Sequence, residues 1–188
     1  MPMVDVADFI RANGSINYSK LHAHAQKISS GEFSHLFRRP LLVGTAIYQG
    51  QLEEKKSVNQ TMLFNIKNIE ELSEASEESK ALQSAIFPIH KRLRGDSKPN
   101  IVSVGRSNEN DLVLNDYPVS RVHAQIRIKL DHFFLMDLNA TNGTTINEKQ
   151  LPPHAEVEIA AGDTVGFGRY RFHLLSPSAL HKRLTANQ

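Results

Sequence analysis

The sequence predicts a mainly β protein preceded by an α or mixed α+β segment, and three observations support this fold class. Over the first 40 residues, apolar side chains recur at helical spacing. Beyond about residue 100, apolar and polar residues alternate with a period of 2, as they do in half-buried strands. Asn, Asp, Gly and Pro turns divide that second part at intervals of about 8 to 12 residues, the pattern of a β-sandwich or barrel.

The composition is that of a globular protein and excludes several classes of function. Hydrophobic residues make up 40% of the 188 residues and cysteine is absent, which excludes a disulfide framework, a thiolate nucleophile and cysteine-bound zinc. The formal net charge of +2 is spread along the chain, unlike that of a dedicated nucleic-acid-binding protein. The sequence has no run of about 18 apolar residues and no signal-peptide pattern, so we expect a cytoplasmic protein without a membrane span.

Two short amphipathic helices are predicted in the first 40 residues. The apolar sets that define them are Val6, Phe9 and Ile10, then Leu21, Ala25 and Ile28. Asn13 and Gly14 form a good helix end, and Ser19 is a suitable N-cap for the second helix. The run from Leu41 to Tyr48 predicts a strand, with residues 62–64 as its candidate partner in a long-tipped hairpin.

Residues 68–86 are predicted to form an exposed helix that connects the two parts of the chain. Five glutamates lie between Glu70 and Glu78, while the apolar residues of this stretch are irregularly spaced. At the C-terminal end, a Ser-Pro pair at 176–177 precedes two spaced leucines, which predicts a capped short helix or a frayed tail.

Alternation predicts three half-buried strands in the second part. Their inward-facing residues are Ala124, Ile126, Ile128 and Leu130 in the first strand, Val157 and Ile159 in the second, and Tyr170, Phe172 and Leu174 in the third. Shorter apolar runs at 101–104, 112–114 and 133–138 predict three more strands. With no helix-length segment between them, these strands predict an all-β architecture for this part.

Three turns of this β part carry polar residues that a plain turn does not require. The motifs are Gly105-Arg106-Ser107, then Ser120-Arg121-Val122-His123, then Asn139-Ala140-Thr141-Asn142-Gly143. Arg106 and Ser120 are 14 positions apart, and Ser120 and Asn142 are 22 positions apart. Each motif is weak alone, but the ordered set is specific.

With this order and spacing, residues 85–175 resemble a forkhead-associated (FHA) domain of a bacterial protein. The resemblance implies a β-sandwich of eleven strands in two sheets, whose loops at one end bind a phosphothreonine peptide. It divides the chain into an N-terminal helical or mixed extension of unknown function (1–84), the FHA-like domain (85–175), and a C-terminal short helix or tail (176–188). The acidic stretch that ends at Glu78 is expected to face basic residues beside the site.

The resemblance assigns phosphopeptide binding to Arg106, Ser120, Arg121, Thr141 and Asn142. Their chemistry fits, because a phosphothreonine brings about −1.5 to −2 charges and three acceptor oxygens, which require donors on rigid loops. A guanidinium offers a planar fork of donors that suits phosphate, and we expect Arg106 to lie on an exposed loop. Arg121 stands where many family members have Asn, so a longer cation replaces an amide.

Three further residues are expected to support the site without touching the ligand. His123 matches the family's structural histidine, which holds its loop together through buried hydrogen bonds. Gly105 and Gly143 are expected to meet backbone demands, either a positive φ or a close approach of two chain segments.

Other chemistries are weaker candidates. Ser120 and His123 are a nucleophile and a base by type, but the sequence has no third orienting acid in matching context and no Gly-x-Ser-x-Gly loop. His22 and His24 have no third metal-ligand type in register. The basic run at 90–94 is expected to be a solvated loop, since no aromatic residues are interleaved with it. We therefore expect that the protein is not an enzyme and that it binds neither a metal nor a cofactor.

The sequence thus predicts a non-enzymatic adaptor that binds phosphothreonine in Ser/Thr-kinase signalling. Its partner is expected to be a phosphothreonine-containing protein, either the substrate of such a kinase or the kinase itself, and not nucleic acid. An alternative is that the β part has lost phosphopeptide binding and serves as a structural module for assembly, for which Arg121 leaves room. A further alternative is a nucleic-acid binder that uses the two N-terminal helices.

Overall fold

The computed structural model describes residues 4–48, 51–52, 61, 64–65, 77–92 and 98–186. Its helices are a 3₁₀ turn at Val6–Phe9, α1 (Tyr18–Ala25), α2 (Ser30–Phe37), α3 (Glu77–Gln83) and α4 (Pro177–Thr185). Its strands are β1 (Leu41–Ile47), β2 (Gln51–Leu52), β3 (Phe64–Asn65), β4 (Ile86–Pro88), β5 (Ile101–Gly105), β6 (Leu112–Val113), β7 (Ala124–Lys129), β8 (His132–Asp137), β9 (Thr144–Ile146), β10 (Lys149–Gln150), β11 (Glu156–Ile159), β12 (Thr164–Phe167) and β13 (Tyr170–Leu175).

In the described part of the chain, eleven strands form a sandwich of two sheets. One sheet has the order β10-β9-β12-β13-β1-β4 and the other β11-β8-β7-β5-β6, while β2 and β3 pair separately. One continuous apolar cluster fills the space between the two sheets and includes the fully buried Leu42, Val104, Ile126, Leu135, Phe167 and Leu174. The predicted mainly β sandwich is confirmed.

Strand β1 comes from the N-terminal part of the chain, yet it lies inside the six-stranded sheet. It pairs antiparallel with β13 on one side and with β4 on the other, so that Leu42 is opposite both Leu174 and Phe87. The six-stranded sheet is therefore built from both sides of the domain boundary expected between residues 84 and 85.

Helices α1, α2 and α4 form a third layer on the outer face of the six-stranded sheet. Leu41 and Val43 of β1 point into the apolar cluster of these helices, whereas Leu42 points into the core between the sheets. Because both faces of β1 are covered, its sequence is a continuous apolar run rather than an alternating one.

Helices α1 and α4 cap each other's C-terminal ends. The side chain of Gln26, just after α1, donates from Nε2 to the Leu184 carbonyl of α4 at 3.0 Å. In return His181 Nε2 of α4 lies 3.1 Å from the carbonyl of Ala25, the last residue of α1, and 3.0 Å from that of Ile28 in the following turn. These bonds satisfy carbonyls that a helix end leaves without an intrahelical partner. The C-terminal segment is thus an ordered helix, one of the two forms predicted for it.

The segment after the 3₁₀ turn joins the edges of the two sheets. The Ile16 N–H donates to the Ile86 carbonyl of β4, and the Val113 N–H of β6 donates to the Asn13 carbonyl. Between them Gly14 has φ +85°, and a Cβ at this position would collide with the carbonyl oxygen of Asp111. Gly14 therefore marks a backbone contact with the sandwich rather than the predicted helix end, since the 3₁₀ turn ends at Phe9.

Several local predictions for the N-terminal part are wrong in detail. The first predicted helix is a 3₁₀ turn, and the N-cap of α1 is Asn17, whose side chain accepts from the Lys20 N–H, rather than Ser19. Helix α2 was not predicted, although Ser29 and Glu32 form a capping box at its start.

The connector and hairpin predictions lie only partly within the described residues. The predicted helix 68–86 is helical at Glu77–Gln83, and Ile86 is already in strand β4. Residues 62–63 of the predicted strand lie outside the described residues, and Phe64–Asn65 pairs antiparallel with β2. The strand Leu41–Ile47 pairs instead with β13 and β4, so the predicted hairpin between this strand and residues 62–64 is wrong for the described residues. In β11, Val157 is 38% exposed instead of facing the core, whereas Ile159 is buried. Leu130, predicted to face inward from β7, lies just after this strand and is 93% exposed.

Candidate functional site

Four loops meet at one end of the sandwich, and three of them, together with the last residue of β5, carry the site residues that the sequence predicts. The four loops are the β5–β6 loop (106–111), the β6–β7 loop (114–123), the β8–β9 loop (138–143) and the β12–β13 turn (168–169). Backbone and side-chain hydrogen bonds join each loop to at least one of the others. The predicted residues are therefore neighbours in space, although up to 38 positions separate Gly105 from Gly143 in the sequence.

Arg106 is held against the β6–β7 loop. Its backbone N–H donates to the Ser120 carbonyl at 2.9 Å, and its Nε donates to the Val119 carbonyl at 3.2 Å. The guanidinium carbon lies 5.4 Å from the ring centroid of Tyr117, within cation–π range. Arg106 lies on a loop, as expected, but it is half-buried rather than exposed.

The Nη2 atom of Arg106 is buried and has no hydrogen-bond partner among the described residues. A buried donor without a partner is destabilising, because it has given up its hydrogen bonds to water without replacing them. A ligand oxygen that reached this nitrogen after a small side-chain adjustment would relieve that cost. The guanidinium is thus anchored through one nitrogen and has donor capacity left on another.

Ser120 joins the β6–β7 loop to the β8–β9 loop. Its Oγ accepts the Thr141 N–H at 3.1 Å, and its own backbone N–H donates to His123 Nδ1 at 3.0 Å. Only 8% of Ser120 is exposed, so the hydroxyl is fixed rather than freely rotating in solvent. Because Oγ acts as an acceptor towards Thr141, its O–H remains available by valence to donate to a ligand.

Arg121, Thr141 and Asn142 form the rim of the site. The side chains of Arg121 and Thr141 are exposed, and that of Asn142 is half-buried. Asn142 donates from Nδ2 to the Pro118 carbonyl at 2.8 Å, which ties the third loop to the second. The site therefore has a rigid base and two exposed side chains, one of which is cationic.

His123 is fully buried beneath these loops, where both ring nitrogens are hydrogen-bonded. Nδ1 accepts the Ser120 N–H, so Nε2 carries the proton and donates to the Gly143 carbonyl at 3.0 Å. Burial lowers the pKa of His123 from its ordinary value, while the Gly143 carbonyl and the charge of Asp137 partly oppose that shift. The neutral imidazole acts as a brace between two loops.

The two glycines of the predicted motifs meet different demands. A Cβ on Gly105 would lie 2.5 Å from the Arg121 carbonyl oxygen and 2.8 Å from Asn110 Nδ2, so the close approach of two loops excludes a side chain there. Gly143 has φ +69°, in the left-handed region that favours glycine, and it presents its carbonyl to His123.

Two residues that the sequence analysis did not single out organise the first loop. Asn110 is buried and donates from Nδ2 to the carbonyls of Ser107 and Arg121, which fixes the spacing of two loops. Asp111 is also buried and accepts from Lys91 Nζ and from the Ser103 N–H, both at 2.8 Å. The sequence signal for these two loop-organising residues is their position, since both are polar and directly precede the buried strand β6.

The charge of Asp111 is stabilised in spite of its burial. Burial acts to raise its pKa, but hydrogen bonds from Lys91, Ser103 and the Arg92 backbone outweigh that effect and lower the pKa below its ordinary value. Arg92 Nη1 also donates to the Asn110 carbonyl at 3.0 Å. Lys91 and Arg92 of the basic run therefore pack against the site loop, which corrects the expectation of a solvated loop for these two residues, whereas His90 is exposed.

The geometry does not support a Ser–His nucleophile. The contact between Ser120 and His123 runs from the serine backbone N–H to Nδ1, and Nε2 is committed to the Gly143 carbonyl. The imidazole has no nitrogen left to take a proton from the Ser120 hydroxyl. Within the described ranges, the structure shows no cluster of three or more metal-ligating side chains and no helix long and apolar enough to cross a membrane.

The comparison with protein families decides the assignment of this region. A family model described as an FHA domain matches residues 102–168, which include most of the four loops and the strands between them. These residues are an FHA domain. The match begins within β5 and ends in the β12–β13 turn, so β1, β4 and the helical layer lie outside it.

Curated relatives of the FHA domain are found in mycobacteria and corynebacteria, in agreement with the expected bacterial resemblance. The glycogen accumulation regulator GarA of Mycobacterium tuberculosis is 36% identical over 76 residues, 40% of this chain and 45% of that protein. The oxoglutarate dehydrogenase inhibitor of Corynebacterium glutamicum is 36% identical over 77 residues, 41% of this chain and 52% of that protein. The chain spans about half the length of the curated relatives it matches.

Solved structures with similarity to this chain also include FHA domains. The FhaA FHA domain, crystallised with the intracellular domain of Rv3910, is 32% identical. The match covers 44% of this chain and 84% of that one, with a TM-score of 0.37.

Proposed function

We propose that this protein is a phosphothreonine-binding adaptor in Ser/Thr-kinase signalling, and that its FHA domain binds the phosphopeptide through the four loops at one end of the sandwich. The partner is a protein that carries a phosphothreonine, either a substrate of such a kinase or the kinase itself. The observation that carries the proposal is the pairing of Arg106 with Ser120. Both are fixed by backbone contacts while each retains donor capacity towards a ligand.

The chemistry of these donors suits a phosphate. The guanidinium of Arg106 and the hydroxyl of Ser120 both make charge-assisted hydrogen bonds to ionised phosphate oxygens, which are roughly twice as strong as bonds between neutral groups. Arg121 adds an exposed positive charge on the same loop as Ser120. Thr141 and Asn142 lie on the facing loop, where an amide that both donates and accepts suits the backbone of a bound peptide.

The proposed activity is recognition without catalysis. The hydrogen bonds of Ser120 and His123 support this proposal, because they join loops and leave neither imidazole nitrogen to take a proton from the serine hydroxyl. The partner proposed here is a protein, and neither nucleic acid nor a membrane is part of the proposal.

A titration with paired peptides tests the function. Phosphothreonine peptides and their unphosphorylated counterparts are titrated by calorimetry into the wild-type protein and into the Arg106→Ala and Ser120→Ala variants. We expect binding only of phosphorylated peptides, and binding at least ten-fold weaker in each variant. If a degenerate phosphothreonine library shows no binding to the folded wild-type protein, the proposal fails and the structural-module alternative stands.

A further inference from the structure

The turn between β12 and β13 carries an arginine that no motif of the sequence singled out. Arg169 donates from Nε to Asp116 Oδ2 at 2.6 Å, and its Nη1 lies 3.4 Å from Glu78 Oε2. Its guanidinium carbon also lies 5.5 Å from the ring centroid of Tyr170. One cation of the turn thus contacts an acid of the β6–β7 loop and an acid of helix α3.

The bond between Arg169 and Asp116 is partly shielded from water. The two side chains are 20% and 15% exposed, whereas Glu78 is 60% exposed. Burial opposes the charge on Arg169, but the hydrogen bond and the charge of Asp116 outweigh this effect and raise the pKa of the guanidinium above its ordinary value. Charge-assisted bonds in such surroundings are stronger and less screened by salt than exposed ion pairs.

Asp116 lies at the start of the loop that carries Ser120. Its carbonyl accepts the Val119 N–H at 3.0 Å, and the Val119 carbonyl accepts the Nε of Arg106 at 3.2 Å. Asp116 is therefore linked through Val119 to both proposed phosphate donors, since Val119 accepts from Arg106 and directly precedes Ser120. A shift of Asp116 would move Val119, and with it the carbonyl that holds Arg106 Nε.

The same turn also contacts the β8–β9 loop and strand β1. The Gly168 N–H donates to the Gly143 carbonyl at 3.3 Å, the carbonyl that His123 also uses. The Arg169 carbonyl accepts the Tyr48 N–H, just after β1, at 2.9 Å. The turn lies beneath the site and connects two of its loops to the N-terminal part of the chain.

We propose that Arg169 is a positioning residue for phosphopeptide binding, which holds the β6–β7 loop in its binding geometry through Asp116, and that Glu78 makes this geometry depend on helix α3. The inference rests on the proposed function, because it concerns the affinity of that same site. Arg169 touches no ligand in this scheme. Its contribution is that the Arg106 and Ser120 donors are placed correctly before the peptide arrives, so that binding does not have to order the loop.

A mutant cycle on phosphopeptide affinity tests the inference. The variants are Arg169→Gln, Asp116→Asn and the double variant, and the dissociation constant is measured at least 20 °C below each melting midpoint so that every protein is folded. We expect each single variant to bind about five- to twenty-fold more weakly, and the double variant to bind no more weakly than the worse single one. That pattern is the sign of a shared interaction. Arg169→Lys, which keeps the charge but not the Nε geometry, should fall between wild type and Arg169→Gln.

Matched controls separate positioning from stability. Arg127 and Glu156 form a more exposed ion pair of 2.9 Å on the five-stranded sheet, so Arg127→Gln removes an arginine–carboxylate pair without touching the site loops. It should leave the dissociation constant within two-fold of wild type. Glu78→Gln should weaken binding about two- to three-fold, because its contact with Arg169 is longer and more exposed.

The outcomes distinguish the inference from the proposed function. If wild type binds phosphopeptide and folded Arg169→Gln and Arg169→Lys bind equally well, the positioning role is wrong while the proposed function stands. If Arg169→Gln weakens binding and Glu78→Gln does not, the part assigned to α3 is wrong. If wild type itself binds no phosphopeptide, the proposed function is wrong, and the inference about Arg169 is wrong with it.

Discussion

The imidazole of His123 donates from Nε2 to the carbonyl of Gly143 at 3.0 Å, and this bond closes the β8–β9 loop over the end of strand β7. The opposite nitrogen accepts the Ser120 N–H, so a single buried ring spans the two loops that carry Ser120 and Asn142. Protonation of Nδ1 would place two donors face to face at Ser120. The neutral Nε2–H form is therefore part of the folded geometry.

His123 should remain neutral at pH values where exposed histidines are protonated. Burial lowers its pKa in the folded state, whereas in the unfolded chain it titrates near the ordinary value of about 6.5. The contribution to stability is thus complete above that pH and is lost as the pH falls below it, because only the unfolded chain then takes up the proton. An NMR titration of the histidine nitrogens checks this. A His123 ring that titrates together with the exposed ones would contradict it.

Removal of the His123 ring should cost stability before it costs binding. His123→Ala leaves the Ser120 N–H and the Gly143 carbonyl buried and unpaired, at roughly 1 to 3 kcal/mol for each group. We expect the free energy of unfolding in urea to fall by several kcal/mol, with a smaller loss for His123→Gln, whose amide can restore one of the bonds. A His123→Ala protein as stable as wild type would show that the brace is unimportant.

Arg106→Ala should weaken phosphopeptide binding much more than it weakens the fold. A hydrogen bond to a charged ligand contributes about 1.5 to 3 kcal/mol, so the loss of affinity should be ten-fold to over a hundred-fold. The bond from Nε to Val119 predicts a loss of stability of only about 0.5 to 1.5 kcal/mol. Thermal melts and calorimetry measure the two effects separately.

Arg121→Ala is the matched comparison for Arg106→Ala. The Arg121 side chain is exposed, and the loop contacts of this residue are made by its backbone carbonyl, which the substitution leaves in place. Stability should therefore stay within about 0.5 kcal/mol of wild type. A variant that binds phosphopeptide as wild type does would show that the cation at this position is not used.

Phosphothreonine should bind more tightly than phosphoserine in the same peptide, as in the FHA family. The expected cause is an apolar niche for the γ-methyl group between Thr141 and the Ser120 loop, and one methyl group provides roughly 1 to 3 kcal/mol of discrimination. Affinity should fall at least several-fold with phosphoserine. Equal dissociation constants by calorimetry would mean that the niche is absent or filled.

Gly14→Ala should destabilise the protein strongly, because the new Cβ would collide with the Asp111 carbonyl oxygen and φ is +85°. Gly31→Ala in helix α2 is the control, since its nearest neighbour would be Ser29 Oγ at 3.9 Å. That change should be neutral or stabilising by up to about 1 kcal/mol. Equal melting temperatures for the two variants would show that the Gly14 segment does not need its contact with the sandwich.

The sequence alone was sufficient to predict the β-sandwich and most of the loops that form the candidate site. Alternation in β7 and β13 follows from one face of a strand being buried, and that pattern is local. The ordered motifs around Arg106, Ser120 and Asn142 are local as well, so their order along the chain could be recognised before any contact was known. Strands β4 and β10 show no such alternation, because β4 has only three residues and β10 only two exposed ones. The local pattern therefore did not predict these two strands.

Tertiary structure decided the features that depend on distant partners. The continuous apolar run of β1 indicates burial on both faces but not which strands lie beside it, and only the fold places Leu42 between Leu174 and Phe87. Arg169 and Asp116 are 53 positions apart, and either charge alone is typical of a solvated loop. Such pairs follow from how the sheets stack and how the loops converge, which no period of the sequence encodes. The sequence by itself therefore determined the proposed phosphate donors, and the tertiary structure determined what holds these residues in place.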